Sequence, residues 1–157
     1  MKMSQGVEWG LHCATLLAQV PDGALVRREK LAQHYGLPEP YLAKHLQALV
    51  RADVLRAVSG PRGGYGLARA PELINALDVV EAIEGSAPAF TCKEIRQAGT
   101  GALSPEQCLR PCVINSVMTQ ADNAWRSSLR SVTIADLTHR LPKWVRKHNV
   151  DVLTEGA

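Results

Sequence analysis

Residues 28–69 read REKLAQHYGLPEPYLAKHLQALVRADVLRAVSGPRGGYGLAR, and this stretch decides the fold. Arg28 to Tyr35 has the composition of a short helix, and Gly36 supplies its stop. Glu39-Pro40 opens a second helix, where proline is acceptable in the first turn. That helix places Tyr41, Leu42, Leu46 and Leu49 on its apolar side. Two short helices joined by a tight glycine-containing turn make a helix-turn-helix. Two short apolar pieces follow, Val54–Val58 and Tyr65–Ala68, around Ser59-Gly60-Pro61-Arg62-Gly63-Gly64. That pattern predicts a β-hairpin with a glycine-rich tip. A helix-turn-helix followed directly by such a hairpin is a winged helix.

The flanks extend this reading. Ser4 caps a helix to about Val20, with Val7, Leu11, Ala14 and Ala18 at helical spacing, and Pro21-Asp22-Gly23 ends it. Asn75 caps a short helix through Glu84, and Gly85 stops it. Residues 86–109 carry no long periodic run and read as a loop, with one capped turn at Ser104-Pro105-Glu106-Gln107. Pro111 opens the longest helix, to about Ser131. Its stripe is Val113, Ile114, Val117, Met118, Ala121, Ala124, Trp125 and Leu129, a continuous apolar face. A helix this long has little to pack on within one small chain, so it reads as a dimerisation helix with two-fold symmetry. The competing reading is a core helix of a monomer. Thr133 with Asp136 starts a last short helix. The expected class is mainly α with a small β-wing, a winged helix-turn-helix domain plus a long dimerisation helix. The expected divisions are a DNA-binding domain over 1–85, with the helix-turn-helix at about 28–51 and the wing at about 54–69. A cluster-binding loop over 86–112, a dimerisation helix and short helix over 111–141 and a tail over 142–157 complete it.

Charge distribution supports a polyanion partner. Ala24 to Arg69 holds eight basic and three acidic residues, whereas Ala70 to Phe90 holds only acids. A basic block of this kind fits double-stranded DNA. The net charge of +3 says little by itself. A 46% hydrophobic content supports a folded core, while the apolar runs are too short and too charged for a membrane span. No secretory signal pattern opens the sequence, so a cytoplasmic location is expected. No glycine-rich phosphate loop, nucleophile elbow or paired catalytic carboxylates are found, and an enzyme is not expected.

Candidate DNA contacts follow from the motif, whose second helix enters the major groove. Lys44 suits phosphate or a guanine edge, and Glu39 can accept from cytosine. Tyr41 and His45 share that helix; Tyr41 can be partly core, and His45 fits a surface or half-buried position rather than a base reader. Glu39 alternatively only favours the positive helix N-terminus. Arg28 opens the preceding helix and is placed for a phosphate. Arg62, with Gly63 and Gly64, sits at the wing tip, where an arginine suits a narrow minor groove.

Four cysteines, Cys13, Cys92, Cys108 and Cys112, raise metal or redox chemistry. Cys13 lies on an apolar helix and is expected in the core. Cys112 precedes a helix, which favours its thiolate. Glu8 and His12 are one turn apart on the first helix and could grip one metal centre from that face. Trp9 lies between them as a candidate transmitter, or as plain core packing.

Several stretches together resemble the iron–sulfur regulators of the IscR/NsrR/RsrR type, the Rrf family. These are Met1 to Leu11, Pro40-Tyr41-Leu42-Ala43-Lys44, the wing Gly60 to Leu67, Asp78 to Gly85, the cysteine loop and Thr133 to Leu137. The resemblance spans nearly the whole chain. It implies a homodimer with a winged helix and a long crossed dimerisation helix. Glu8-Trp9, His12-Cys13 and the cysteine spacing look most like the redox-sensing RsrR branch. That branch implies a 2Fe–2S cluster bridging the subunits, with Cys108 and Cys112 from one chain and Glu8 and His12 from the other. Imidazole in place of thiolate raises a cluster's reduction potential. A change at this interface could then reorient Trp9 and shift the reading heads.

Other readings stay open. Cys92 can replace Glu8 or His12 as a ligand, and a 4Fe–4S cluster or zinc could occupy the site instead. A cluster-free regulator or interaction protein, switched by thiol oxidation or a small ligand, is the alternative function.

Overall fold

The structure is a computed structural model and describes residues 2–154. The order is α1 (Gln5–Leu17), α2 (Arg28–Tyr35), α3 (Glu39–Arg51), β1 (Leu55–Val58), β2 (Gly64–Leu67), α4 (Ala76–Glu84), α5 (Val113–Arg130), α6 (Ile134–Arg140) and α7 (Lys143–Thr154). Short 3-10 turns occupy Pro71–Leu73, Ile95–Gln97 and Pro105–Cys108. The molecule is mainly helical with one two-stranded antiparallel sheet. No helix among the described residues is long and apolar enough to cross a membrane. The chain divides into two units, residues 87–128 and the remainder.

The larger unit is built around leucines at helical spacing. Leu42, Leu46 and Leu49 of α3 are fully buried with Leu16 of α1, Leu31 of α2, Val79 of α4 and Ile134 of α6. Each such side chain contributes roughly 1.5–3 kcal/mol on leaving water. Cys13 is among them, and burial pushes its thiol up to about 12. Gly36 adopts φ 63°, and its neighbour Leu37 donates to the Ala32 carbonyl at 2.8 Å, which closes α2 and aims the chain into α3. The hairpin pairs Leu55 with Leu67 and Val58 with Gly64. Val26 and Tyr65 exchange backbone bonds of 2.9 and 2.8 Å, so the wing is laced to the segment before α2.

Capping follows the sequence closely at two places. Asn75 and Asp78 form a reciprocal box at α4, as do Thr133 and Asp136 at α6. At α1 it differs. Ser4 stands at the N-cap, but its side chain makes no cap bond. Its hydroxyl and amide both donate to the Glu84 carboxylate, at 2.6 and 2.8 Å, and tie the start of α1 to the end of α4. Those bonds, the hydroxyl first, hold the Glu84 carboxyl below its ordinary range, with the charge of His45 adding a smaller push.

The smaller unit consists of the 3-10 turns at 95–97 and 105–108 and most of α5. Gln107 accepts from the Ser104 amide at 2.9 Å, the expected turn chemistry. Asp122 and Arg126 form an i,i+4 pair at 2.7 Å, and Arg126 also donates to the Ala87 carbonyl. None of the residues of α5 is buried. Beyond α6, where a tail over 142–157 was expected, the chain forms α7; residues 155–157 of that tail lie outside the described residues.

Candidate nucleic-acid interface and cysteine loop

Helix α3 divides its faces cleanly. Leu42, Leu46 and Leu49 point inward, while Tyr41 is 68% exposed and Lys44 and Gln47 are exposed beside it. The apolar spacing of three and four dictates this, since the residues between the leucines have nowhere else to go. Tyr41 is therefore not part of the core. The wing tip carries exposed Pro61 and Arg62. Gly63 is buried there, and a β-carbon on it would collide with the Val58 carbonyl oxygen. Its amide donates to the Gly60 carbonyl at 2.9 Å. Gly64 is equally confined, because a β-carbon would meet the Val26 carbonyl at 2.7 Å. The glycines thus let the tip fold back tightly and leave Arg62 exposed on it.

Not every basic residue of this region is offered outward. Arg28 pairs with Glu39 at 2.7 Å, joining the starts of α2 and α3. Both were candidate base or phosphate contacts, and the fold uses each to satisfy the other. Arg27 donates to the Pro61 carbonyl and braces the wing. Arg69 donates to the Asp53 carbonyl at 3.0 Å and lies 3.5 Å from Asp78. It secures the turn in which Asp53 takes a φ of 56°. Sequence reading counted these arginines into the basic block; their partners lie 9 to 34 residues away and leave no local signal.

The first helix touches the reading helix directly. Trp9 meets His45 of α3 edge-on, with ring centroids 5.7 Å apart. Gly6 faces the same imidazole so closely that a β-carbon would overlap it. Glu8 and His12 are both exposed on α1. The His12 ring lies 5.3 Å from Tyr35, the last residue of α2, and Tyr35 donates its hydroxyl to the His12 carbonyl at 3.2 Å.

In the smaller unit, Cys92, Cys108 and Cys112 are half-buried and free of disulfides. Cys92 accepts from the Glu94 amide at 3.4 Å. Cys112 sits just before α5. The amides of Asn115 and Ile114 hold its thiol below the ordinary range, and the Arg96 guanidinium adds to this. Arg96 is fixed by Glu94 at 2.8 Å and by the Arg110 carbonyl at 3.0 Å. Cys108 and Cys112 both lie within its electrostatic reach. Arg96 is a residue that sequence reading missed: only the folded loop brings it to the cysteines. Among the described residues, no three His, Cys, Asp or Glu side chains gather where they could hold a metal.

These features can be set beside known proteins. A family model described as Rrf2, an iron-dependent transcriptional regulator, matches residues 3–140. The HTH-type transcriptional regulator slr0846 of Synechocystis sp. is 31% identical over 144 residues, covering 92% of this chain and 92% of that protein. The structure of T. potens IscR has a TM-score of 0.66 at 26% identity, covering 91% of this chain and 93% of that one. CymR, described as the global cysteine regulator of B. subtilis, has a TM-score of 0.69 at 23% identity, covering 90% and 99%. The chain belongs to the Rrf2 family of winged-helix transcriptional regulators and is not an enzyme.

Proposed function

We propose that this protein is a cytoplasmic homodimeric repressor or activator that grips a DNA operator with α3 and the wing, and that the grip is set from α1. The observation that carries this reading is the Trp9–His45 contact, which couples the Glu8–His12 turn to the helix bearing Tyr41 and Lys44. Lys44 and Arg62 are outward cations of the two elements assigned to the grooves. Arg28 and Glu39 act together as the clamp that sets α2 against α3.

The donor set in the cysteine loop suits a soft metal centre. Cys112 is predisposed to its thiolate and Cys108 shares the same cation. A 2Fe–2S cluster would be held by Cys108 and Cys112 of one chain with the partner's Glu8 and the partner's His12, Cys92 being the alternative donor. When bound, such a group supplies one-electron chemistry. The remaining work is done by this chain: Trp9 carries a displacement of α1 to His45, and His45 carries it to α3. Half-site spacing is strict, so a small displacement changes operator affinity. The test is anaerobic purification followed by iron and sulfide assay and visible absorption, with Glu8→Ala and His12→Ala alongside. Loss of cluster in both variants supports the assignment; full retention in both refutes it.

A thiol-switch reading rests on a different observation, the Arg96 guanidinium within electrostatic reach of two half-buried cysteines. In that reading Cys112 is the nucleophile toward an oxidant. Metal-free protein whose DNA affinity changes on reversible peroxide treatment, and not in Cys112→Ser, would favour it over the cluster.

A further inference from the structure

Within the larger unit, α1, the end of α2, α6 and α7 line a half-open cavity of about 500 Å³, inside the range usual for small-molecule sites. Its walls are mainly Leu11, Leu137, Leu141 and Val145, with the rings of His12 and Tyr35. The polar groups at its margin are Thr15, Gln19, Asn149 and Arg140. Gln19 and Asn149 are already bonded to each other at 3.0 Å, and Gln19 also donates to the Thr15 carbonyl. Among the described residues, Arg140 is the one permanently charged side chain of the lining, and no carboxylate lines the cavity with it. The nearby Asp136 carboxylate accepts from the Thr133 amide and hydroxyl at the α6 cap.

We propose that this cavity binds a small carboxylate with an apolar body, its chain against Leu11, Leu141 and Val145 and its charge on Arg140. An apolar wall with a single guanidinium at its margin favours that combination over a neutral or cationic ligand, although Asp136 on the same helix lies within electrostatic reach of Arg140. The site is placed to act on the reading head. Tyr35 ends α2 and lines the cavity, and α7 is tied to α2 by Lys30 donating to the Leu153 carbonyl at 3.0 Å. Three of the wall residues, Leu141, Val145 and Asn149, lie beyond the residues matched by the family model. The inference does not depend on the cluster: it holds for metal-free protein.

The experiment is calorimetric titration of the full chain, metal-free, with octanoate, and with octanol as the neutral counterpart. Saturable binding at one octanoate per chain is expected, with at least tenfold weaker binding of octanol and of octanoate to Arg140→Gln. Leu141→Trp fills the cavity and abolishes binding; Val145→Phe serves the same purpose should the first variant not fold, as judged by circular dichroism. Absence of saturable binding overturns the proposal, as does octanoate affinity unchanged in a folded cavity-filling variant. Equal binding of octanol and octanoate overturns the carboxylate assignment.

Discussion

Substituting Val117 by Asp tests whether α5 is the dimer contact. Val113, Ile114, Val117 and Met118 are 75, 59, 62 and 38% exposed, an apolar strip on a helix none of whose residues is buried. Fully burying a valine is worth about 1.5–3 kcal/mol. With about three-fifths of that still available on the single chain, burial across an interface returns about 1–2 kcal/mol per Val117. Two-fold symmetry doubles this to about 2–4 kcal/mol, and buried paired carboxylates add a further penalty. Val117→Asp is therefore expected to weaken dimerisation at least 30- to 1,000-fold, roughly tenfold per 1.4 kcal/mol. Sedimentation velocity over a concentration series measures it. The chain itself stays folded, since an exposed substitution shifts stability by only about 0.5 kcal/mol. An unchanged dimer constant with a normal melting curve would refute the reasoning and move the interface away from α5.

Other outcomes follow from single residues. Lys44→Ala and Arg62→Ala should each lower affinity for duplex DNA and reduce the slope of log K against log salt by about 1, read by fluorescence anisotropy; an unaltered slope removes that residue from the phosphate contacts. Cys112 of metal-free protein should alkylate with iodoacetamide at pH values below the ordinary thiol range. Its rate should fall only as pH drops through its lowered value, because the thiolate is the reacting form. Arg96→Gln should move that midpoint up, with peptide mapping to separate Cys112 from Cys13, which stays unreactive until the protein unfolds. Gly63→Ala should destabilise by about 1–3 kcal/mol through collision with the Val58 carbonyl, visible as a lower melting temperature and weaker DNA binding; an unchanged melting temperature would show that the wing yields freely.

The winged-helix order was legible because its signals are local. Leucines at three- and four-residue steps select one face of α3. Gly36 permits a turn that other residues resist, and Asn75 and Thr133 with an aspartate three residues on each build a cap. All of these act within one or two turns of chain, where neighbours in sequence are neighbours in space. The candidate site was legible only in part. The cysteine spacing pointed to thiolate chemistry, but it could not show that the folded loop brings the Arg96 guanidinium within electrostatic reach of Cys108 and Cys112.

What the residues determined alone is the catalogue of elements and their order: two short helices, a glycine-tipped hairpin, a cysteine loop and a long apolar-striped helix. What only the tertiary structure decided is which side chains those elements turn against one another. Folding spends Arg28 on Glu39 and Ser4 on Glu84, sets Trp9 against His45, and closes α7 over α1 to leave a cavity lined by Arg140. The physical reason is range. Periodicity and capping are decided by contacts a few residues apart, whereas an ion pair, a ring contact or a cavity forms between groups whose separation in sequence carries no record of their meeting.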